Sequence, residues 1–333
     1  MASVCVRDES RLVKISVIIP TYRRPLTLLQ TLRSLQQQTR SDFEILIVDN
    51  AADPEIKTLV SEFNETARIP ARYIPEGRTG VHYARNTAAE TAKGDLLLYT
   101  DDDVSLDPGW VGAYGKAFVD HSKMAAAGGP VRPIWEQPPP QWLIDYIGGS
   151  KCFIILSLME PYDTFQLNKR GYFFSCNMAI WKSVLKARGG FDPEATANAW
   201  IGDGESGLNR RMWASGDPIG YVPEAMVYHH IPPSRMTVEY FCHRMANEGA
   251  SDMYAHYHNN ISDRLRLFRH VAAIAVRSWK CWVQALLLRS RTDIRSLNIQ
   301  MHSARTRSQV DYILRLMFDR RFRTLVAKEN WLN

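Results

Sequence analysis

The sequence predicts an α/β protein: a doubly wound, mostly parallel sheet followed by a C-terminal helical extension. Three observations predict it. The run Leu96–Tyr99 is apolar without alternation, as a strand buried on both faces of a parallel sheet is, and three further short runs before it read as strands. Stretches with helical spacing separate these runs, giving β-α-β-α-β-α-β-α and right-handed crossovers. From residue 233 onward the pattern turns helical and basic.

In order, Lys14–Pro20 is the first expected strand, and Pro20 should stop it. Thr21-Tyr22-Arg23-Arg24 is a polar loop, and Pro25 suits the first turn of a helix with Leu28, Leu29, Leu32 and Leu35 on one face. Phe43–Val48 is the second strand and ends at Asp49-Asn50. Asp53-Pro54 caps a helix bearing Ile56, Leu59, Val60 and Phe63. Ala71–Ile74 is the third strand; Gly77 and Gly80 precede an alanine-rich helix from Val81 to Lys93. The fourth, Leu96–Tyr99, runs into Asp101, Asp102 and Asp103, and a helix over Pro108–Ser122 follows. Met124–Lys169, with Pro130, Pro133 and Pro138-Pro139-Pro140, reads as an extended loop region over the sheet edge. Tyr172–Lys186 returns to a strand and a helix, and Trp200–Glu205 is a glycine-loosened loop leading into a helix that Gly216 ends. Tyr221–His230 is the last strand.

Three carboxylates at a strand end repel one another, so a cation is their natural partner. Mg²⁺ or Mn²⁺ prefers such oxygen ligands together with substrate phosphates. Crossovers bring the ends of strands one, two and four (Thr21–Arg24, Asp49-Asn50 and Asp101–Asp103) to one edge of the sheet, where open α/β sheets bind ligands. No Gly-x-Gly-x-x-Gly follows the first strand and no Gly-x-x-x-x-Gly-Lys-[Ser/Thr] occurs, which argues against a dinucleotide dehydrogenase and a P-loop enzyme.

The bulk numbers agree with a globular chain. Of 333 residues 45% are hydrophobic and 23% charged. Five scattered cysteines favour a reducing compartment over a disulfide framework. The polar start, Met1–Lys14, has no signal-peptide core, and no run of about 18 uncharged apolar residues would span a membrane. The net charge of +6 is uneven: from Arg235 on there are 17 basic and 8 acidic side chains, against 24 and 27 before it.

Seven ordered segments over residues 14–231 together resemble family 2 glycosyltransferases with the GT-A fold. They are Ser16–Pro25, Val48-Asp49-Asn50, Gly80 through Ala84-Arg85-Asn86-Thr87, Thr100–Asp103, Asn177-Met178-Ala179, Gly189-Gly190-Phe191-Asp192 and Val227-Tyr228-His229. Two positions depart from the family: Arg23 stands where Asn is common, and the usual Glu-Asp-x-(Asp/Glu)-Leu reads Asp203-Gly204-Glu205-Ser206-Gly207-Leu208.

The resemblance implies three parts: a tail at 1–13, a catalytic domain at 14–232 (nucleotide-binding half 14–123, acceptor half 124–232) and the extension at 233–333. It implies a nucleotide-sugar donor held by Pro20, Thr21, Tyr22, Arg24, Asp49, Asn50, Gly80, Arg85, Asp101 and Asp102, with Asp49 on uracil if the base is uracil. It implies Mn²⁺ or Mg²⁺ on Asp101, Asp103 and His229, and Glu205, with Asp203 second, as catalytic base. The acceptor is expected to be a glycan or lipid-linked sugar of surface polysaccharide or glycolipid synthesis.

The basic helical segments at Leu265–Leu286, which carries Trp279 and Trp282, and Val310–Val326 either lie on an anionic membrane surface or pack on the catalytic domain. No nucleic-acid motif is recognisable, so nucleic acid is not an expected partner. A cytoplasmic protein, peripheral on the inner face of the cell membrane, is the expectation. A nucleotidyltransferase and a non-catalytic membrane-associated scaffold are the rival readings.

Overall fold

The computed structural model describes residues 13–193, 195–196, 199–200, 202–260 and 263–328. The expected tail, apart from Val13, and Ile201 of the glycine-loosened loop lie outside the described residues.

The first half follows the expected order: β1 (Ile15–Thr21), α1 (Pro25–Gln36), β2 (Phe43–Asp49), α2 (Pro54–Asn64), β3 (Ala71–Pro75), α3 (Val81–Thr91) and β4 (Leu96–Thr100). The four strands lie side by side as β3-β2-β1-β4, all parallel. Every residue of β1 and β4 is buried, which is why their sequences show no alternation. Asp53 caps α2 by accepting from Glu55 N at 3.0 Å.

Pro20 does not stop β1, which runs one residue further. Thr21 O accepts from Asn50 N at 2.9 Å, so Thr21 faces β2. Pro20, one residue back, faces the side of β4, where the ladder has already ended at Ile18 opposite Tyr99. Its missing N–H therefore breaks no ladder bond.

The region 124–169 is more ordered than its prolines suggest. After β5 (Val104–Leu106) and α4 (Trp110–Asp120) come β6 (Ala126–Gly128), β7 (Val131–Trp135), α5 (Gln141–Ile147), β8 (Cys152–Phe153), β9 (Leu158–Met159) and β10 (Gln166–Asn168). The chain continues through β11 (Asn177–Trp181), α6 (Lys182–Ala187), β12 (Ala195–Thr196), β13 (Ala199–Trp200), α7 (Gly204–Ser215), β14 (Ile219–Tyr221) and β15 (Val227–Ile231). The single strand expected over Tyr221–His230 is thus two strands in two sheets, because the turn around Pro223 carries the chain from one to the other.

The main sheet has eight strands in the order β10-β14-β6-β11-β4-β1-β2-β3, with β11 antiparallel to both neighbours. The second sheet runs β5-β15-β7-β9-β8. Asn177 fastens the two together. Its side chain accepts from Trp110 Nε1 and Tyr114 OH, each at 2.8 Å, and donates to Pro130 O and Ala225 O at 2.8 Å.

The extension comprises α8 (Val238–Asn260), α9 (Arg264–Leu287), α10 (Ile294–Phe318) and α11 (Arg320–Val326). It shares the sheet's core. Phe241 of α8 and Leu297 and Met301 of α10 belong to the same buried cluster as Val17 and Ile19 of β1. Tyr83 of α3 joins Ala250, Met253, Tyr312, Ile313 and Leu316 in another. Of the two segments considered for a membrane surface, Val310–Val326 therefore turns Tyr312, Ile313, Leu316 and Met317 inward against α8 and α3.

Candidate active site

The ends of β1 and β4 meet as the topology requires. Thr21 Oγ1 donates to Asp102 Oδ2 at 2.7 Å, and Arg24 Nη1 reaches Asp102 Oδ1 at 3.3 Å and Asp103 Oδ2 at 3.1 Å. Asp102 is buried and acts as the tie between the two strand ends. Burial, with the charge of Asp103 next to it, pushes its carboxyl up to about 6 against the pull of Arg24 and Thr21. Asp101 takes Arg85 Nη2 on Oδ1 at 2.9 Å. Tyr22 is exposed at the rim, with Arg23 over its ring at 5.4 Å. Arg23 has φ 53°, left-handed backbone that Asn adopts more readily than Arg, so the departure at this position sits on a strained turn.

The end of β2 is closed by its own turn. Asp49 is fully buried. Its Oδ1 accepts from Ala51 N at 2.9 Å and its Oδ2 from Asp53 N at 2.5 Å and Tyr73 OH at 2.9 Å. Burial and that bond to Asp49 push the Tyr73 hydroxyl up to about 12. Asn50 clamps the loop before α3: its Nδ2 donates to Arg78 O at 2.5 Å and its Oδ1 accepts from Gly80 N at 2.6 Å. Gly80 has φ 139°, a backbone only glycine adopts easily.

Strand β15 delivers His229. Its antiparallel pairing with β5 sets His229 opposite Val104, and His230 N donates to Asp103 O at 3.0 Å. Alternation along the strand turns His229 toward Asp103 and His230 toward Ser105 Oγ, 2.9 Å away. His229 Nδ1 lies 3.1 Å from Leu156 O, a carbonyl that only accepts, and Nε2 lies 2.7 Å from Arg235 Nη1, which only donates. Nδ1 therefore carries a proton toward Leu156 O, and Nε2 is the ring nitrogen that faces Arg235 and Asp103.

Arg235 Nη2 also donates to Asp103 Oδ2 at 2.7 Å, and Asp103 Oδ1 stands 3.4 Å from His229 Nε2. Burial alone would raise the Asp103 carboxyl, but the His229 ring and the guanidiniums of Arg235 and Arg24 outweigh it and hold the carboxyl well below the usual range. A carboxylate oxygen and a ring nitrogen thus share one guanidinium, a pair of side chains of the kind that hold a divalent metal. Asp101 is turned to Arg85 instead, and among the described residues no three His, Cys, Asp or Glu side chains are grouped for a metal. Arg235 was not foreseen; its only signal is its place six residues after His229, beyond the stiff Pro232-Pro233.

The two candidate bases differ in setting. Asp203 is buried and ion-paired with Arg210, and lies beside Asp192, which pairs with Arg211. Burial pushes Asp192 up to about 7, helped by the Asp203 charge and opposed by Arg211. Glu205 is only partly buried, in the first turn of α7, and its Oε2 accepts from Ser175 N at 2.7 Å. Segment 175–177 runs beside the end of β4: Asn177 pairs with Thr100, and Thr100 Oγ1 donates to Cys176 O at 2.9 Å. The Cys176 thiol records the grouping, pushed up first by burial and then by the charges of Asp101, Glu205 and Asp103. Asn86 binds both the carbonyl and the amide of Phe191 at 2.9 Å, joining the Ala84-Arg85-Asn86 and Gly190-Phe191-Asp192 landmarks.

Residues 16–189 match the model of glycosyl transferase family 2. The succinoglycan biosynthesis protein ExoM of Rhizobium meliloti is 24% identical over 238 residues, which are 71% of this chain and 72% of that protein. The glucosyl-dolichyl phosphate glucuronosyltransferase of Haloferax volcanii is 27% identical over 132 residues, 39% of this chain and 42% of that one. The crystal structure of S. aureus TarS superposes with a TM-score of 0.51 at 14% identity, covering 90% of this chain and 55% of TarS; this likeness is one of fold.

Proposed function

The chain belongs to glycosyl transferase family 2 and is a glycosyltransferase; from that premise we propose that it moves a sugar from a nucleotide-sugar donor, a uridine diphosphate sugar, to a glycan or lipid-linked acceptor with inversion at the anomeric carbon. The setting is synthesis of a surface polysaccharide or glycolipid, at the cytoplasmic face of a membrane on which the protein is peripheral. Residues 14–232 form the catalytic unit of this reading. Relatives named for succinoglycan synthesis and for a glucosyl-dolichyl phosphate acceptor support it.

Thr21, Tyr22 and Arg24, beyond Pro20, line the base and ribose with Asn50 and Gly80 shaping that wall, and Asp49 accepts the uracil N–H once the turn that buries it opens. Arg85 and Asp102 set the carboxylates: Arg85 orients Asp101, and Asp102 holds Thr21 and Arg24. Asp103 and His229, with Asp101 directly or through water, would hold Mn²⁺ or Mg²⁺, which would supply Lewis-acid chemistry for the departing diphosphate. Glu205 takes the proton of the acceptor hydroxyl as that oxygen attacks the anomeric carbon and the bond to the diphosphate breaks. Such a base contributes roughly 10²–10⁴-fold. Asp203 is the second candidate, but its ion pair with Arg210 and its burial suit a supporting role.

The observation that carries the reading is Glu205, tethered to Ser175 N alongside Thr100 and the carboxylates that follow it. The test is cleavage of a panel of nucleotide sugars with Mn²⁺ or Mg²⁺, with and without chelator, by the native protein and Asp103→Ala. Cleavage confined to one donor, and abolished by chelator and by the substitution, supports the reading and names the donor. No cleavage together with no metal-dependent nucleotide binding overturns it.

A further inference from the structure

Helix α9 has two apolar faces, and only one of them is used within the chain. On the inner face Leu267 is buried, and Trp282 Nε1 donates to Thr306 Oγ1 of α10 at 2.8 Å. On the outer face Leu265, Phe268, Val276, Trp279, Val283 and Leu286 are each 50–73% exposed. At 3.6 residues per turn these six fall within a stripe about 80° wide and roughly 30 Å long. Along one flank stand Arg266, Arg269, Arg277 and Lys280, all exposed, with Lys280 Nζ 5.6 Å from the Trp279 ring centre. No Asp or Glu occurs between Arg264 and Leu287.

We propose that the outer face of α9 docks on an anionic lipid surface, the apolar stripe entering the headgroup boundary and the basic flank meeting lipid phosphates. Among the described residues no helix is long and apolar enough to cross a membrane, so the contact is lateral. A second copy of the chain is the weaker occupant: it would bring another basic row and no carboxylate from this helix to meet it. As a means of reaching a lipid-linked acceptor the inference rests on the proposed function, whereas the surface itself rests on α9 alone.

The experiment is flotation of the full chain with vesicles of phosphatidylcholine alone or with added phosphatidylglycerol, at low and high salt. Native protein is expected on the anionic vesicles at low salt and to leave them as salt rises. The double variant Phe268→Glu/Trp279→Glu and the charge variant Arg269→Gln/Arg277→Gln/Lys280→Gln should each bind about tenfold or more weakly. All these positions are exposed, and circular dichroism checks that the variants keep the fold. Absence of native protein from anionic vesicles overturns the inference, as does unchanged binding by both variants. So does a native dimer in sedimentation that Phe268→Glu/Trp279→Glu turns into a monomer. Donor cleavage is read separately: cleavage without vesicle binding removes this inference and leaves the proposed reaction, and vesicle binding with neither cleavage nor metal-dependent nucleotide binding does the reverse.

Discussion

Arg235 holds Asp103 and His229 with one guanidinium, at 2.7 Å to Asp103 Oδ2 and 2.7 Å to His229 Nε2. In the proposed reading Asp103 and His229 would hold a divalent ion, and this side chain of the protein takes both donors. An ion must displace it, and the lost charge-assisted hydrogen bonds cost about 1.5–3 kcal/mol each. Arg235→Ala should therefore bind Mn²⁺ about tenfold or more tightly in the absence of nucleotide, read as free-ion signal in electron paramagnetic resonance titrations. Equal or weaker binding by the variant would show that the guanidinium does not compete.

Glu205 and Asp203 can be separated by what their removal damages. Glu205→Gln takes away a partly exposed carboxylate whose one hydrogen-bond partner among the described residues is the Ser175 amide. It should lower kcat by about 10²–10⁴-fold with little change in KM or melting temperature. Asp203→Asn strips a buried carboxylate from Arg210, whose own side chain is 39% exposed, so its main effect should be on stability, by about 1–3 kcal/mol. A melting temperature unchanged in Asp203→Asn, with kcat lost, would exchange the two roles.

Much of this arrangement is legible in the sequence where a residue's neighbours in the chain decide its structure. The short apolar runs gave the parallel strands, and the capping Asp53 marked the start of α2. The topology alone brought Thr21 and Asp102 together. Reading failed where partners are remote. Strands β6 and β7 are three and five residues long and sit among prolines, so only their pairing with β11 and β15 makes them strands. Asn177 could be seen as a landmark but not as the joint between two sheets. The Arg235 guanidinium carries no local signal of the Asp103 it meets, 132 positions earlier.

Glu76 gives a pH-dependent prediction away from the carboxylate cluster. It is buried just before α3. Its Oε1 takes Arg78 N at 2.8 Å and Arg78 Nε at 2.9 Å, and its Oε2 takes Arg78 Nη2 at 2.8 Å as well as Thr87 Oγ1. The bonds from Arg78, more than the hydroxyl of Thr87, overcome burial and lower its carboxyl from 4.5 to about 2. A depressed carboxylate stabilises the fold above its unfolded pKa, and that gain is lost as pH falls through the folded value. The shift corresponds to about 3 kcal/mol at most. The Arg78 side chain is 57% exposed, so screening brings the expectation to about 1–2 kcal/mol. Urea unfolding should show Glu76→Gln less stable by that amount at pH 7, with the gap narrowing from pH 4.5 toward pH 2. A gap that does not change with pH would assign the loss to packing instead.

Gly249 tests whether the helical extension supports the candidate site or only sits beside it. It marks the close approach of α8 to α10, where a Cβ would lie 2.3 Å from Arg305 O. The obstacle is backbone, so one helix must move, at a cost of about 1–3 kcal/mol. Two residues along α8, Ser251 Oγ accepts from Trp200 Nε1 at 3.1 Å and donates to Gly202 O at 3.3 Å, bracing the loop that leads to Asp203 and Glu205. Gly249→Ala should therefore lower the melting temperature and also lower kcat severalfold, because the brace moves with the helix. Gly249→Ser should do the same, whereas Val276→Ala, on the outer face of α9, should leave both values near native. If Gly249→Ala loses stability while kcat stays native below its melting temperature, α8 has no part in positioning Glu205.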